Sequence, residues 1–192
     1  MKNLRDEKGV SLISLVIVIM IMGIIFVVTF NAGKELLDTT KVKKYATVMY
    51  LVKAEVEAIT DEYDFLSVEG ADNSALKDSM FVGDSLSTNN INELYTKILP
   101  TEINVTEFNR YYATSAANYA TIKSSWKIIK SDHLKAWGIN ADFIDDVDKV
   151  FYVNYVTAEV VYKKGVSIEI VDPITGETDK QVVHVLRTFE SM

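Results

Sequence analysis

The sequence contains no cysteine, and this excludes several functions at once. Disulfide bonds, thiol nucleophiles and cysteine-ligated zinc sites all need that residue. Histidine is almost as scarce, because only His133 and His184 are present and they fall on different predicted elements. No glycine-rich phosphate-binding motif occurs either. We therefore expect no catalytic site and no cofactor, and we assign both histidines to surface or packing roles.

Positive charge and proline are also in short supply. The 20 lysine and arginine residues face 27 aspartate and glutamate residues, giving a formal net charge of −7. Such a surface repels phosphate backbones, so direct nucleic-acid binding is not expected. Proline occurs only at Pro100 and Pro173, so nothing in the first half of the chain forces a helix to end.

The longest stretch without charge runs from Val10 to Phe30, VSLISLVIVIMIMGIIFVVTF. At a rise of about 1.5 Å per residue, its roughly 21 residues reach about 31 Å, the thickness of a bilayer core. This predicts a membrane-spanning helix. A secretory signal would carry small residues after the apolar run, whereas this chain has Phe30 and Asn31 there.

A short polar leader precedes the run, and its basic residues are Lys2, Arg5 and Lys8. Gly9 stands directly before Val10, and Gly23 interrupts the apolar run. This arrangement resembles the amino terminus of type IV prepilins and type II secretion pseudopilins. The resemblance implies cleavage after Gly9 by a prepilin peptidase and methylation of the new amino terminus at Val10. It also implies other pilin subunits, a platform protein and an assembly ATPase as partners.

Ser14 departs from the family pattern, which nearly always has a glutamate at this position. A serine hydroxyl can bond back to the carbonyl near Val10 in its own helix, so it needs no partner. Family members that lack the glutamate include the minor subunit placed at a filament tip. Two positions stay open for this chain, a tip or initiating subunit and an ordinary minor subunit that tolerates the change.

An apolar stripe with steps of three and four residues follows the run. Its members are Val42, Tyr45, Met49, Val52, Val56, Ile59, Tyr63 and Leu66. Such spacing predicts one apolar helix face, which could cover a sheet or form a coiled-coil stalk. The strand patterns later in the chain favour the sheet.

The second half of the chain is typical of an antiparallel sheet of about four strands. The four are Val150–Val156, Glu159–Tyr162, Val166–Val171 and Gln181–Phe189, and a separate strand is predicted before them at Trp126–Lys130. Thr157-Ala158, Lys163-Lys164-Gly165 and the segment 172–176 are predicted turns or loops. Ser131 is expected to cap a short helix that ends at Gly138.

Two segments of this half resemble the head of Gram-positive pilin-like proteins. In that family an LKxxGI helix precedes a YxVNYxTxEV hairpin, and here the sequences are LKAWGI from Leu134 and YVNYVTAEV from Tyr152. Ala158 stands where the family usually has glycine, which leaves the turn type open.

Between the stripe and the strands the sequence is harder to interpret. Ser67 to Ser87 has the composition of a loop, and Asn90 with Glu93 predicts a capped helix that Pro100 ends. The polar segment from Thr101 to Ser125 receives no assignment. An acidic cluster in the second half is a weak candidate for calcium, because hard cations prefer carboxylate oxygens. Its members are Asp142, Asp145, Asp146 and Asp148.

Together these patterns predict an α+β, pilin-like fold in four parts. These are a leader (1–9), a transmembrane or filament-core helix (10–30), its amphipathic continuation (31–66) and a globular head (67–192). We expect a structural subunit anchored by a single span, with a cytoplasmic amino terminus and an extracytoplasmic head, that later enters a surface filament. The alternative is a permanently anchored surface protein whose head binds a ligand.

Overall fold

The computed structural model describes residues 12–69, 72–112, 116–171 and 178–190. The chain has two compact units, Met1–Lys41 and Val42–Met192. Helices and a five-stranded antiparallel sheet make up the described residues, which confirms the α+β prediction. Within the described ranges, no helix combines the length and the apolar character that crossing a membrane requires. The predicted span falls largely on residues whose side chains lie outside this description.

Helix α1 extends over Leu12–Leu66, and the apolar stripe belongs to its second half. Val48, Met49, Val52 and Val56 are buried in one core with residues of the sheet. The Tyr45 ring lies 5.2 Å from that of Tyr162, so strand and helix meet directly. These contacts favour the sheet-covering interpretation over a coiled-coil stalk. Leu66 is the exception, since it is exposed.

The five strands lie in the sheet in the same order as in the chain. They are β1 (Asp84–Ser85), β2 (Trp126–Ile129), β3 (Phe151–Asn154), β4 (Val160–Val171) and β5 (Thr178–Val185). Every neighbouring pair is antiparallel. The predicted strand at Trp126 is confirmed, and the predicted strand at Val150 is present but shorter.

Lys163, Lys164 and Gly165 do not form the predicted turn. They lie inside the single strand β4, where the pairing with β5 shifts between Val161↔Val185 and Val166↔Val183. Gly165 has φ +71, a left-handed conformation that costs glycine little, and the extra residues form a bulge. A bulge carries the same glycine signal as a turn, which explains the error.

Both faces of the sheet are covered. Phe151 and Val153 join the core under α1, whereas Tyr152 joins a second core on the opposite face, as alternation along a strand requires. The second core lies under helices α3 (Thr88–Glu93), α4 (Leu99–Glu102), α5 (Val105–Tyr112) and α6 (Ala116–Ser124). The segment that sequence left without assignment is therefore mostly helical.

The prediction of one helix from Asn90 to Pro100 is wrong in its ends. Ser87 is the N-cap, accepting a hydrogen bond from the Asn90 amide at 3.3 Å. A π-helical turn, Leu94–Ile98, leads into α4, which contains Pro100 in its first turn. Proline is tolerated there because the first amides of a helix have no partner within it.

Three smaller corrections complete the fold. The loop predicted for Ser67 to Ser87 contains α2 (Ser74–Met80) and β1. Ser131 is the first residue of α7 (Ser131–Ala136), not its cap, although Gly138 does follow the helix end with φ +70. The last strand ends at Val185, not at Phe189 as predicted, and the chain after it forms α8 (Leu186–Glu190).

Candidate assembly site

Five consecutive apolar side chains of α1 are exposed. They are Val18, Ile19, Met20, Ile21 and Met22, with exposed fractions from 48% to 67%. Successive residues of an α-helix turn by about 100°, so five in a row cover every side of it. A helix that is apolar all round is stable only in lipid or among other apolar helices.

The residues predicted to be processed lie outside the described part of the chain. These are Gly9, Val10 and the leader residues Lys2, Arg5 and Lys8. Ser14 lies within α1, but its side chain is also outside the description. Cleavage, methylation and the effect of Ser14 therefore stay predictions.

The four aspartates of the predicted calcium cluster lie in one segment, residues 140–149, which we call the aspartate loop. Lys149 is almost fully buried and places its ammonium 2.8 Å from Asp146 and 3.9 Å from Asp142. Asp148 pairs with Lys164 in the same way. Hydrogen bonding and attraction from Lys149 hold the pKa of the Asp146 carboxyl below its usual range. Lysine ammonium groups thus pair with three of the four carboxylates, those of Asp142, Asp146 and Asp148.

Calcium binding by this loop stays an untested prediction. Among the residues that the structure describes, no group of three or more histidine, cysteine, aspartate or glutamate side chains is placed to hold a metal ion. Ser131 donates a further hydrogen bond to Asp146 at 2.9 Å. The loop is thus held by protein donors, and Asp145 is the fourth aspartate on its exposed surface.

A groove of 330 Å³ opens on the face of the sheet that carries the second core. We call it the lysine groove. Its helical wall consists of Glu93, Lys97, Ile98 and Thr101. Its sheet wall consists of Tyr152, Lys163, Val182 and His184. Two lysines, Lys97 and Lys163, therefore line the groove together with the apolar Ile98 and Val182, and the Lys97 ammonium lies 3.8 Å from the Glu93 carboxylate.

The two histidines are separate, as predicted. The Nδ1 of His133 accepts a hydrogen bond from the Lys130 amide at the start of α7. The Nδ1 of His184 lies 3.0 Å from the Tyr162 carbonyl, so this nitrogen must be the donor. The His133 ring thus supports the start of its own helix, and the His184 ring bonds across to the neighbouring strand β4.

Glu102 closes part of the open edge of β5. Its two carboxylate oxygens accept hydrogen bonds from the amides of His184 at 2.7 Å and Val185 at 2.8 Å. Burial raises the pKa of Glu102, and the two amide hydrogen bonds oppose that rise. The carboxylate thereby blocks an edge at which a foreign strand could pair.

A buried polar network ties the C-terminal helix to the rest of the head. Glu159 accepts a hydrogen bond from the Tyr112 hydroxyl at 2.9 Å and pairs with Arg187 of α8. Arg187 also lies 3.5 Å from Glu107. Burial, and then the neighbouring Glu159 charge, raise the pKa of Tyr112 far above its usual range. The network therefore links α5, the residue directly before β4 and α8.

Sequence reasoning missed both the groove and this network. The groove joins residues from one helical segment and three strands, which no local pattern brings together. Glu159 offered one signal, because it is a lone acid directly before the apolar residues Val160 and Val161.

Comparison of the chain with protein-family models, curated proteins and solved structures found no match.

Proposed function

We propose that this chain is a structural minor pilin or pseudopilin, a subunit of a type IV pilus or a type II secretion-like filament. A prepilin peptidase cleaves it after Gly9 and methylates Val10. Its apolar helix then leaves the membrane and packs with the helices of other subunits in the filament core. The head remains outside the cell and has no enzymatic role.

The exposed apolar segment Val18–Met22 is the observation that carries this proposal. A folded chain does not keep such a surface in water, because it favours burial by about 25 cal/mol per Å². The packing of α1 also supports the proposal. Its second half covers a sheet while residues 18–22 expose apolar side chains. A pilin helix is divided into the same two parts.

The leader supplies the second line of support, from sequence alone. A permanently anchored protein needs only the apolar run, whereas a filament subunit needs a peptidase site on its cytoplasmic side. Gly9 stands directly before the run and follows a basic leader, as that peptidase requires. The partners that follow are other subunits, the peptidase, a membrane platform protein and an assembly ATPase.

The decisive experiment compares Gly9→Ala with wild type in the native host. We expect the variant to keep its leader, to migrate more slowly on a gel and to be absent from sheared surface filaments. Mass spectrometry of the wild-type protein should find a methylated Val10 at the amino terminus. Gly23→Ala is the matched control, since it makes the same change inside the apolar run, and it should still be cleaved.

If Gly9→Ala and the wild type have the same amino terminus, the proposal is overturned. The alternative, a permanently anchored surface protein with a ligand-binding head, predicts that outcome together with a wild-type protein that begins at Met1. Ser14→Glu addresses the finer question of position. If the chain is confined to the tip, the substitution should alter its distribution along filaments, and an unchanged distribution would favour an ordinary minor subunit.

A further inference from the structure

Val147 is the most exposed apolar side chain of the aspartate loop, at 84%. The loop around it is not loose, because Ile139, Ala141 and Ile144 are buried in the core under α1. The bonds from Ser131 and Lys149 to Asp146 fix the residue directly before Val147. The loop therefore presents an apolar knob in a fixed position, which lowers the entropy lost when a partner binds it.

The lysine groove has the complementary properties. Ile98 and Val182 supply apolar lining, and Val182 is 47% exposed. The charged lining residues are Lys97 and Lys163 and one acid, Glu93, which pairs with Lys97. The aspartate loop has the reverse balance, because its four aspartates are matched by only two lysines, Lys149 within the loop and Lys164 paired with Asp148. An apolar centre with charges of one sign on one surface and of the other sign on its partner is the usual anatomy of a specific interface.

We propose that the aspartate loop of one copy docks into the lysine groove of a second copy, with Val147 against Val182. Loop and groove are different surfaces of the same head, so the contact is heterologous and can repeat from copy to copy. Such a contact extends a row of subunits and does not close a dimer. The inference rests on the proposed function, because filament assembly is what brings heads side by side.

The absence of cysteine makes a direct test possible in the full-length chain. Val147→Cys and Val182→Cys are placed in separate copies, expressed together and treated with a short bis-maleimide in intact membranes. We expect a cross-linked pair that contains one copy of each variant. Val105→Cys is the matched control for the knob, since Val105 is also a highly exposed valine, on α5. Its pairing with Val182→Cys should give only background.

Charge reversal tests the electrostatic half of the interface. Lys163→Glu, introduced into the copy that carries Val182→Cys, should lower the cross-linking yield by about tenfold. Asp145→Lys in the copy that carries Val147→Cys should restore it. Since both side chains are exposed, neither change is expected to unfold the head.

A Val147–Val182 yield no higher than the Val105 control would overturn the inference, as would failure of the charge reversal to lower it. A subunit present once per filament, at the tip, would give that negative result. The proposed function is judged separately, by processing at Gly9. If processing is normal and no cross-link forms, only the docking inference fails. If the cross-link forms but Gly9→Ala has no effect, the proposed function fails and the contact between copies stands.

Discussion

Substitution of Arg187, a partly exposed residue, should destabilise the head strongly. Arg187→Met keeps most of the aliphatic stem but leaves the Glu159 carboxylate, 4% exposed, with the Tyr112 hydroxyl as its one partner among the described side chains. Breaking a buried ion pair from one side costs about 3–5 kcal/mol. The Arg187 side chain is 30% exposed, so solvent screens part of the interaction, and we expect a loss of about 2–3 kcal/mol.

The size of the effect can be measured by urea unfolding of the full chain in detergent. Trp126 is a suitable fluorescent reporter, because it is buried in the same core as Tyr112. A loss of this size corresponds to a fall in melting temperature of about 5–10 °C for a chain of this length. Lys180→Met is the control, since Lys180 forms an exposed pair with Glu169 and should cost less than about 1 kcal/mol.

A double-mutant cycle decides whether the ion pair is the cause. In a Glu159→Gln background the buried charge is gone, so Arg187→Met should cost less than about 1 kcal/mol. If the two substitutions are additive within about 0.5 kcal/mol, the destabilisation comes from lost packing and our reasoning about the network is refuted.

Three further predictions concern the fold, and each is read from the same unfolding assay. Met49→Ala should lower the free energy of unfolding by about 2–5 kcal/mol, and Leu51→Ala, at an exposed position nearby, by less than about 1 kcal/mol. Equal losses would contradict the packing of α1 against the sheet. Gly165→Ala should cost at least about 2 kcal/mol, because its Cβ would collide with two side chains of β5, whereas Gly138→Ala has open space and should lose only about 1, the backbone cost. Because the folded pKa of Glu102 is raised, its contribution to stability is full below the ordinary value of 4.5 and is lost as pH rises through the folded value. The free energy of unfolding of Glu102→Gln should therefore rise relative to that of the wild type as pH is raised from about 4 to 7. A difference between the two that does not change with pH would contradict this assignment.

The parts of the fold that follow from local periodicity were predictable. The stripe beginning at Val42 identified the buried face of α1, because a helix repeats its contacts every three or four residues. The hairpin of β3 and β4 was also predictable. Ala158, which stands in place of the expected glycine, has φ +51. The Asn154 side chain supports this turn by accepting hydrogen bonds from the amides of Val156 and Thr157.

The remaining parts depend on contacts that no local pattern encodes. The helical layer over the second core has short helices, and α6 contributes few buried residues, so its periodicity is too weak to detect. The continuation of β4 through Gly165 depends on an irregular pairing with β5, and the Gly165 signal alone does not distinguish that bulge from a turn. The aspartate loop could be recognised in the sequence from its four aspartates, but its stabilisation by Lys149 could not be predicted.

Among the residues that the structure describes, the sheet separates two cores that share no side chain, one under α1 and one under the short helices. Natural variation in the short helices can therefore accumulate without disturbing the face that supports the long one.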